Sequence, residues 1–191
     1  MLAVGRSATG RSSPKLRELV VPEVANLAGV EGELAGFDAC FFCLGVSSIG
    51  LTEERYTRLT YDLTLAVART VARTSPALTF VYVSGAGTDS TERSRSMWAR
   101  VKGKTENELL GFPFRAAYMF RPGAILPLHG VRSKTRWVRV LYALAAPVGP
   151  VWRALFPNTI TTSEQVGRAM LRVVRDGYAT RILETRDINR L

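Results

Sequence analysis

The chain has 191 residues, 47% of them hydrophobic, with 26 basic against 16 acidic side chains for a formal charge of +10. That apolar fraction excludes collagen-like, disordered and disulfide-scaffold classes. One domain is expected, burying about 70% of the surface its unfolded form exposes, with no need of a metal or disulfide to hold its core.

The positive charge comes from 22 Arg and only four Lys (Lys15, Lys102, Lys104, Lys134), spread along the chain. No nucleic-acid-binding motif accompanies it, so it reads as an Arg-rich solvated surface and no specific nucleic-acid partner is expected. The longest apolar stretch, Val140 to Trp152, is 13 residues with two prolines, too short to span a bilayer. The N-terminus shows no signal peptide, and a cytoplasmic setting is expected.

In chain order, Leu2–Val4 reads as a strand fragment and Leu16–Val21, stopped by Pro22, as a second strand. Ala28–Leu34 is a weak short helix. Ala39–Leu44, continuous in apolar residues, reads as a strand covered on both faces. It contains Cys40 and Cys43. Their odd spacing sends the side chains to opposite faces about 10 Å apart, beyond disulfide reach, so two buried reduced thiols are expected.

From Thr52 a long helix is signalled by the Thr cap, Glu53 and Glu54 in the first turn, and Tyr56, Leu59, Leu63, Val67 and Val71 down one face. Leu78–Val83 is the clearest strand and runs into Ser84-Gly85-Ala86-Gly87. A helix from about Ser94 to Leu110 ends at Gly111, and Arg115–Phe120 is the next strand, broken by Arg121-Pro122-Gly123. After an irregular stretch, Thr161 to Glu164 gives a capping-box pattern opening a helix that Gly177 closes, and Ile182-Leu183 is a last short strand. Such alternation predicts an α/β fold: a Rossmann-like, doubly wound, mostly parallel sheet with helices on both faces. Ligands in these sheets bind beyond the carboxyl ends of the strands.

The strand-end residues are Arg6-Ser7, Pro22-Glu23, Gly45 to Ser48, Ser84-Gly85 and Arg121-Pro122-Gly123, and eighteen residues past Ser84 comes Lys102. From Leu2 to Leu183 this arrangement resembles the atypical, epimerase/dehydratase-like branch of the short-chain dehydrogenase/reductase superfamily, with NmrA-like and Tat-interacting-protein-like members. The resemblance implies a single NAD(P)-binding domain over 1–191, with 126–160 as a variable lid or substrate region. It implies Ser84 as the family's catalytic serine and Lys102 as its active-site lysine, which holds the nicotinamide ribose. It also implies cofactor contacts from Arg6, Glu23, Gly45, Pro122 and Gly123. Arg6 suits a 2′-phosphate, favouring NADP over NAD, and Gly45 lets backbone approach the cofactor.

Two departures stand out. The family's motif is Tyr-x-x-x-Lys, and four residues before Lys102 stands Trp98, whose indole has no acid–base chemistry near neutral pH. Tyr82 and Tyr118 lie in predicted strands, and neither replaces the phenol by spacing. The family's first strand and its Gly-rich turn are also missing before Arg6, although backbone N–H groups there would bind the pyrophosphate. In the family that strand lies centrally, between those assigned to Leu2–Val4 and Ala39–Leu44. An N-terminally truncated product, short by about 25 to 30 residues of strand, turn and helix, is therefore expected.

The segment 132–153 joins Arg132, Lys134, Arg136 and Arg139 to an apolar run with Trp137 and Trp152. It reads as a lid or apolar pocket wall, with plain packing surface and contact with an anionic membrane as alternatives. The single His, His129, falls in a loop and no Cys/His cluster exists, so no metal site is expected. The first functional reading is an NAD(P)-binding protein, an oxidoreductase or epimerase-like enzyme if it is catalytic. The alternatives are a catalytically silent dinucleotide-sensing or scaffold protein and a peripheral membrane protein. Its partners would be a dinucleotide, a small-molecule substrate and a second copy of the chain in a homodimer.

Overall fold

The computed structural model describes residues 1–128 and 158–191. The chain begins with β1 (Leu2–Gly5) and β2 (Arg17–Val20), then a 3-10 turn at Glu31–Leu34 and β3 (Ala39–Phe42). A continuous helix follows as α1 (Glu53–Thr57), a π-helical segment (Arg58–Asp62) and α2 (Leu63–Thr74). Next come β4 (Thr79–Val83), α3 (Met97–Leu110), β5 (Ala116–Arg121) and β6 (Ala124–Leu126). The described chain closes with β7 (Ile160–Thr162), α4 (Ser163–Asp176), β8 (Ile182–Glu184) and α5 (Thr185–Arg190).

The local signals act largely where the sequence put them. Thr52 Oγ1 accepts from the Arg55 amide at 3.3 Å and opens α1. At α4 the cap is Thr162, accepting from the Gln165 amide at 3.1 Å, one residue later than the pattern expected. Gly177 ends α4 at φ +74°, a conformation that costs glycine little. α3 starts at Met97 rather than Ser94 because the Asp89 carboxylate draws the amides of Thr91, Arg93 and Ser94 into a turn (2.9, 2.9 and 2.7 Å). The weak helix expected over Ala28–Leu34 shrinks to the 3-10 turn, since Gly29 sits at φ +83°.

Strand order is the central finding. β3, β4, β5 and β8 form one parallel sheet in that order, while β1 pairs only with β2, also in parallel. A further short parallel pair, β6 with β7, was not expected from the sequence. The order β3-β4-β5-β8 and the parallel β1-β2 pair agree with parts of a doubly wound sheet.

Period-two alternation sorts the core into two layers. Phe80 and Tyr82 of β4 with Ala117 and Met119 of β5 face Leu65, Ala68 and Val71 of α2 and Leu109 of α3. Val81, Tyr118 and Phe120 point the other way, against Val166, Ala169, Met170 and Val173 of α4 and Ile188 of α5. Each large apolar side chain so buried contributes about 1.5–3 kcal/mol.

β3 departs from this plan. Phe42 is buried in the first layer, but Phe41, on the second face, is 39% exposed. The expectation of two buried cysteines fails for the same reason: Cys43 lies past the strand end and is exposed, and Cys40 is half-buried. Neither is in a disulfide. Burial still pushes the Cys40 thiol up to about 12, with the neighbouring Cys43 adding to the rise.

Candidate functional site

The densest polar cluster among the described residues lies at the carboxyl ends of β4 and β5. β4 delivers Ser84, whose amide donates to the Phe120 carbonyl at 2.8 Å. The chain then turns through Gly85 (φ +149°) and Gly87 (φ +88°), backbone values that side-chain-bearing residues rarely adopt. The Ala86 amide donates to the Pro122 carbonyl at 2.8 Å, tying this loop to the end of β5.

α3 lays Trp98, Lys102 and Glu106 along one face at a spacing of four residues. A Cβ on Gly87 would stand 3.2 Å from the Trp98 ring, so the indole packs against the loop. Lys102 Nζ donates to the Ser84 carbonyl oxygen, and a Cβ on Gly85 would stand 3.7 Å from that Nζ. Burial lowers the Lys102 pKa, with nearby Glu106 pulling it partly back. Gly103 is dictated by close approach, since a Cβ there would fall 1.8 Å from the Asp89 carbonyl oxygen. Asp89 itself is held down to about 2, chiefly by the Thr91 hydroxyl and then by backbone amides.

Glu106, with no exposed surface, is the hub. Ser84 Oγ donates to its Oε1 at 2.5 Å. Arg121 Nε donates to both carboxylate oxygens at 3.1 Å, and Nη2 also reaches Oε2. The guanidinium further donates to Ser90 Oγ at 2.5 Å and to Glu184 at 3.3 Å. The buried charge pair is therefore fully hydrogen-bonded, as a buried pair must be to persist.

Of the residues the sequence nominated, the structure brings Ser84, Lys102, Pro122 and Gly123 to one place. Pro122 is buried, and Gly123 is required because a Cβ would fall 2.1 Å from the Thr159 carbonyl oxygen. Arg6, Glu23 and Gly45 follow β1, β2 and β3 as exposed residues, at the carboxyl ends of their strands. A Cβ on Gly45 would meet nothing within 4 Å. Tyr82 is buried in the core, and the Tyr118 hydroxyl accepts from the Tyr178 amide at 2.9 Å, so neither phenol serves the cluster. Glu106, Gly103 and Asp89 were not nominated. The signal that could have found Glu106 is its position four residues past Lys102.

A nicotinamide dinucleotide fits this surface in part. Lys102 stands at a strand end with glycine backbone beside it, and Arg6 is an exposed guanidinium just past the end of β1. The loop between β1 and β2 contains no helix, so no helix N-terminus follows β1 to take a pyrophosphate. The cluster can bind and orient, and the Trp98 indole beside it carries no group that titrates near neutral pH. Among the described residues no group of three His, Cys, Asp or Glu could hold a metal, and no helix is long and apolar enough to cross a membrane. The stretch 129–157, with His129 and most of the expected lid and membrane-contact segments, lies outside the described residues.

No family model matches the chain. It is 33% identical over 109 residues to the protein FMP52-2, mitochondrial, of Scheffersomyces stipitis, a match covering 56% of this chain and 44% of that protein. The chain thus aligns with less than half of that relative's length. Among solved structures it is similar to UDP-N-acetylglucosamine 4-epimerase from Methanobrevibacter ruminantium (TM-score 0.65, 12% identity, 93% of this chain and 66% of that one). It is similar to the Bordetella bronchiseptica enzyme WbmF, solved with NAD+ (TM-score 0.64, 12% identity, 99% and 68%). A third is RMD from Pseudomonas aeruginosa, solved with NADPH (TM-score 0.58, 15% identity, 95% and 77%). The chain has the Rossmann-like α/β fold of these solved structures.

Proposed function

We propose that this chain is a NAD(P)-binding protein of the epimerase/dehydratase-like short-chain dehydrogenase/reductase superfamily, with its dinucleotide along the carboxyl ends of β1 to β5. The observation that carries the reading is Lys102, brought from α3 onto the Ser84 carbonyl at the end of β4, beside Pro122 and Gly123. A cation there donates to ribose hydroxyls. Arg6 and Glu23 would contact the adenosine half, with the Arg6 guanidinium selecting a 2′-phosphate and so NADP over NAD. Gly45, Pro122 and Gly123 would line the path between the two halves. The proposal includes a cytoplasmic setting, although the name of the relative from S. stipitis carries a mitochondrial one.

A bound nicotinamide supplies hydride transfer, and a short-chain oxidoreductase completes it with a proton from a phenol. Here Trp98 occupies that position, and the Ser84 hydroxyl is already donated to Glu106. Those two observations favour the second reading, a dinucleotide-sensing or scaffold protein without turnover, over a working oxidoreductase.

Titration of the 191-residue chain with NADPH and NADH tests the proposal. Because no helix N-terminus follows β1 among the described residues, we expect weak binding by these 191 residues, with a dissociation constant on the order of 1 mM, tighter for NADPH. Lys102→Ala is expected to abolish the signal, and Arg6→Ala to make the two nucleotides equal. No binding of either nucleotide at several times that concentration sinks the cofactor reading. NADPH oxidation with a carbonyl substrate, lost in Lys102→Ala, would return the chain to the oxidoreductases.

A further inference from the structure

We propose that Lys102 is a carbonyl-capture site, an amine that takes an aromatic aldehyde as an imine. Neither a dinucleotide nor a phenol is needed for this chemistry, so the site stands apart from the cofactor reading. α3 brings Nζ to the end of β4, where it donates to the Ser84 carbonyl oxygen. That acceptor is neutral. Among the described residues Lys102 forms no ion pair, because Glu106, four residues on, is taken up by Arg121 and the Ser84 hydroxyl.

A half-buried ammonium without a contacting counter-ion is costly, and the neutral amine gains by comparison. Burial accordingly lowers the Lys102 pKa, with Glu106 offsetting part of the effect. Lys15 and Lys104 are exposed, and Lys104 lies over the Tyr61 ring at 4.7 Å. Desolvation is one of the ways in which a lysine becomes a nucleophile, and of these three only Lys102 is desolvated.

The space beside Nζ fits the reaction. A Cβ on Gly85 would stand 3.7 Å from Nζ and 4.0 Å from the Pro122 carbonyl oxygen. With no side chain there, a carbonyl carbon can take that place, close to the separation of about 3–3.5 Å from which attack proceeds. The Pro122 carbonyl is then placed to accept from the hydroxyl of the adduct. Trp98, half-buried and one turn earlier on the same face of α3, gives a planar apolar group a ring to pack against. Of the electrophiles that an amine attacks, an aldehyde needs no leaving group other than water.

In the reaction the ammonium first gives a proton to solvent. The Nζ lone pair forms the N–C bond as the carbonyl π pair moves to oxygen, which ends as a hydroxyl while nitrogen gives up a second proton. The hydroxyl then leaves as water, taking up a proton, and nitrogen loses its last one as the C=N bond forms. Aldehyde and amine become imine and water, with nothing oxidised or reduced.

The test offers benzaldehyde and butanal separately to the 191-residue chain without nucleotide, with cyanoborohydride to reduce the imine to a stable secondary amine. Peptide mass mapping reads the labelling rate at each lysine. Lys102 is expected to label at least tenfold faster than Lys15 or Lys104, with a half-maximal rate at a pH below the ordinary lysine pKa of about 10.4. It should favour benzaldehyde over butanal more than Lys104 does. Trp98→Leu should reduce that preference at Lys102 at least fivefold and leave the rates at Lys104 unchanged, with circular dichroism showing that the variant is folded. The native chain alone can overturn the proposal, by labelling Lys102 no faster than Lys104, by showing one aldehyde preference at both, or by keeping the fast rate when unfolded in urea.

Discussion

Glu106 has no exposed surface, yet it holds a negative charge against Arg121 and accepts the Ser84 hydroxyl. Removing one partner of such a pair strands the other charge where water cannot reach it. Glu106→Gln is therefore expected to cost about 3 kcal/mol, read as a lower urea midpoint. The double variant Glu106→Leu/Arg121→Leu should lose less than that, because no buried charge is left unpaired. If the double variant loses as much as the two single losses added, the pair is not acting as a unit. The sequence showed Ser84 and Lys102 through their interval, and the structure brings both to one place. It did not show Glu106, because a Glu in a helix bearing Lys104, Asn107 and Glu108 looks like another solvated side chain. Its burial is decided by Arg121, fifteen residues on and in strand β5.

Two mid-helix glycines should respond oppositely to the same substitution. Gly103 on α3 lies against the Asp89 carbonyl, and an added methyl would overlap that backbone atom. Gly167 on α4 has nothing within 4 Å of where a Cβ would stand. Alanine gains about 1 kcal/mol over glycine in a helix interior. Gly167→Ala should therefore raise the melting temperature, by about 0.5–1 kcal/mol of stability. Gly103→Ala should lower it, by about 2 kcal/mol, because overpacking outweighs the helix gain. Thermal unfolding followed by circular dichroism decides, and equal shifts would mean that the Asp89 loop yields freely. At this scale the sequence was readable wherever a signal was local. The Thr52 cap, the alternation in β4 and Gly177 each did what their residue type predicts. It was not readable where an element depends on a distant partner. β6 is three residues long and exists because Thr159 to Thr162 comes back beside it. The first turn of α3 is lost to an aspartate five residues before Ser94.

For the molecule as a whole, the division of the strands into separate sheets sets the order in which parts come undone. β4 and β5 are paired on both edges and buried between helices on both faces. β1 and β2 form a four-residue pair that rests on the core through half-buried Leu2, Val4 and Leu19. A further tie is an exposed 3.5 Å ion pair, Arg17 with Glu33, and such pairs are worth about 0–1 kcal/mol. A two-stranded ribbon this short is marginal in water, and opening it uncovers less apolar surface than opening the main sheet. Amides of β1 and β2 are therefore expected to exchange through a sub-global opening at urea concentrations where those of β4 and β5 are still protected. The strands were legible in the sequence, but this order of opening was not, because it depends on which strands pair with which. Exchange of all four strands at one shared midpoint would mean that Val21, Val24 and Leu27, buried in the loop after β2, lock the ribbon into the main cooperative unit.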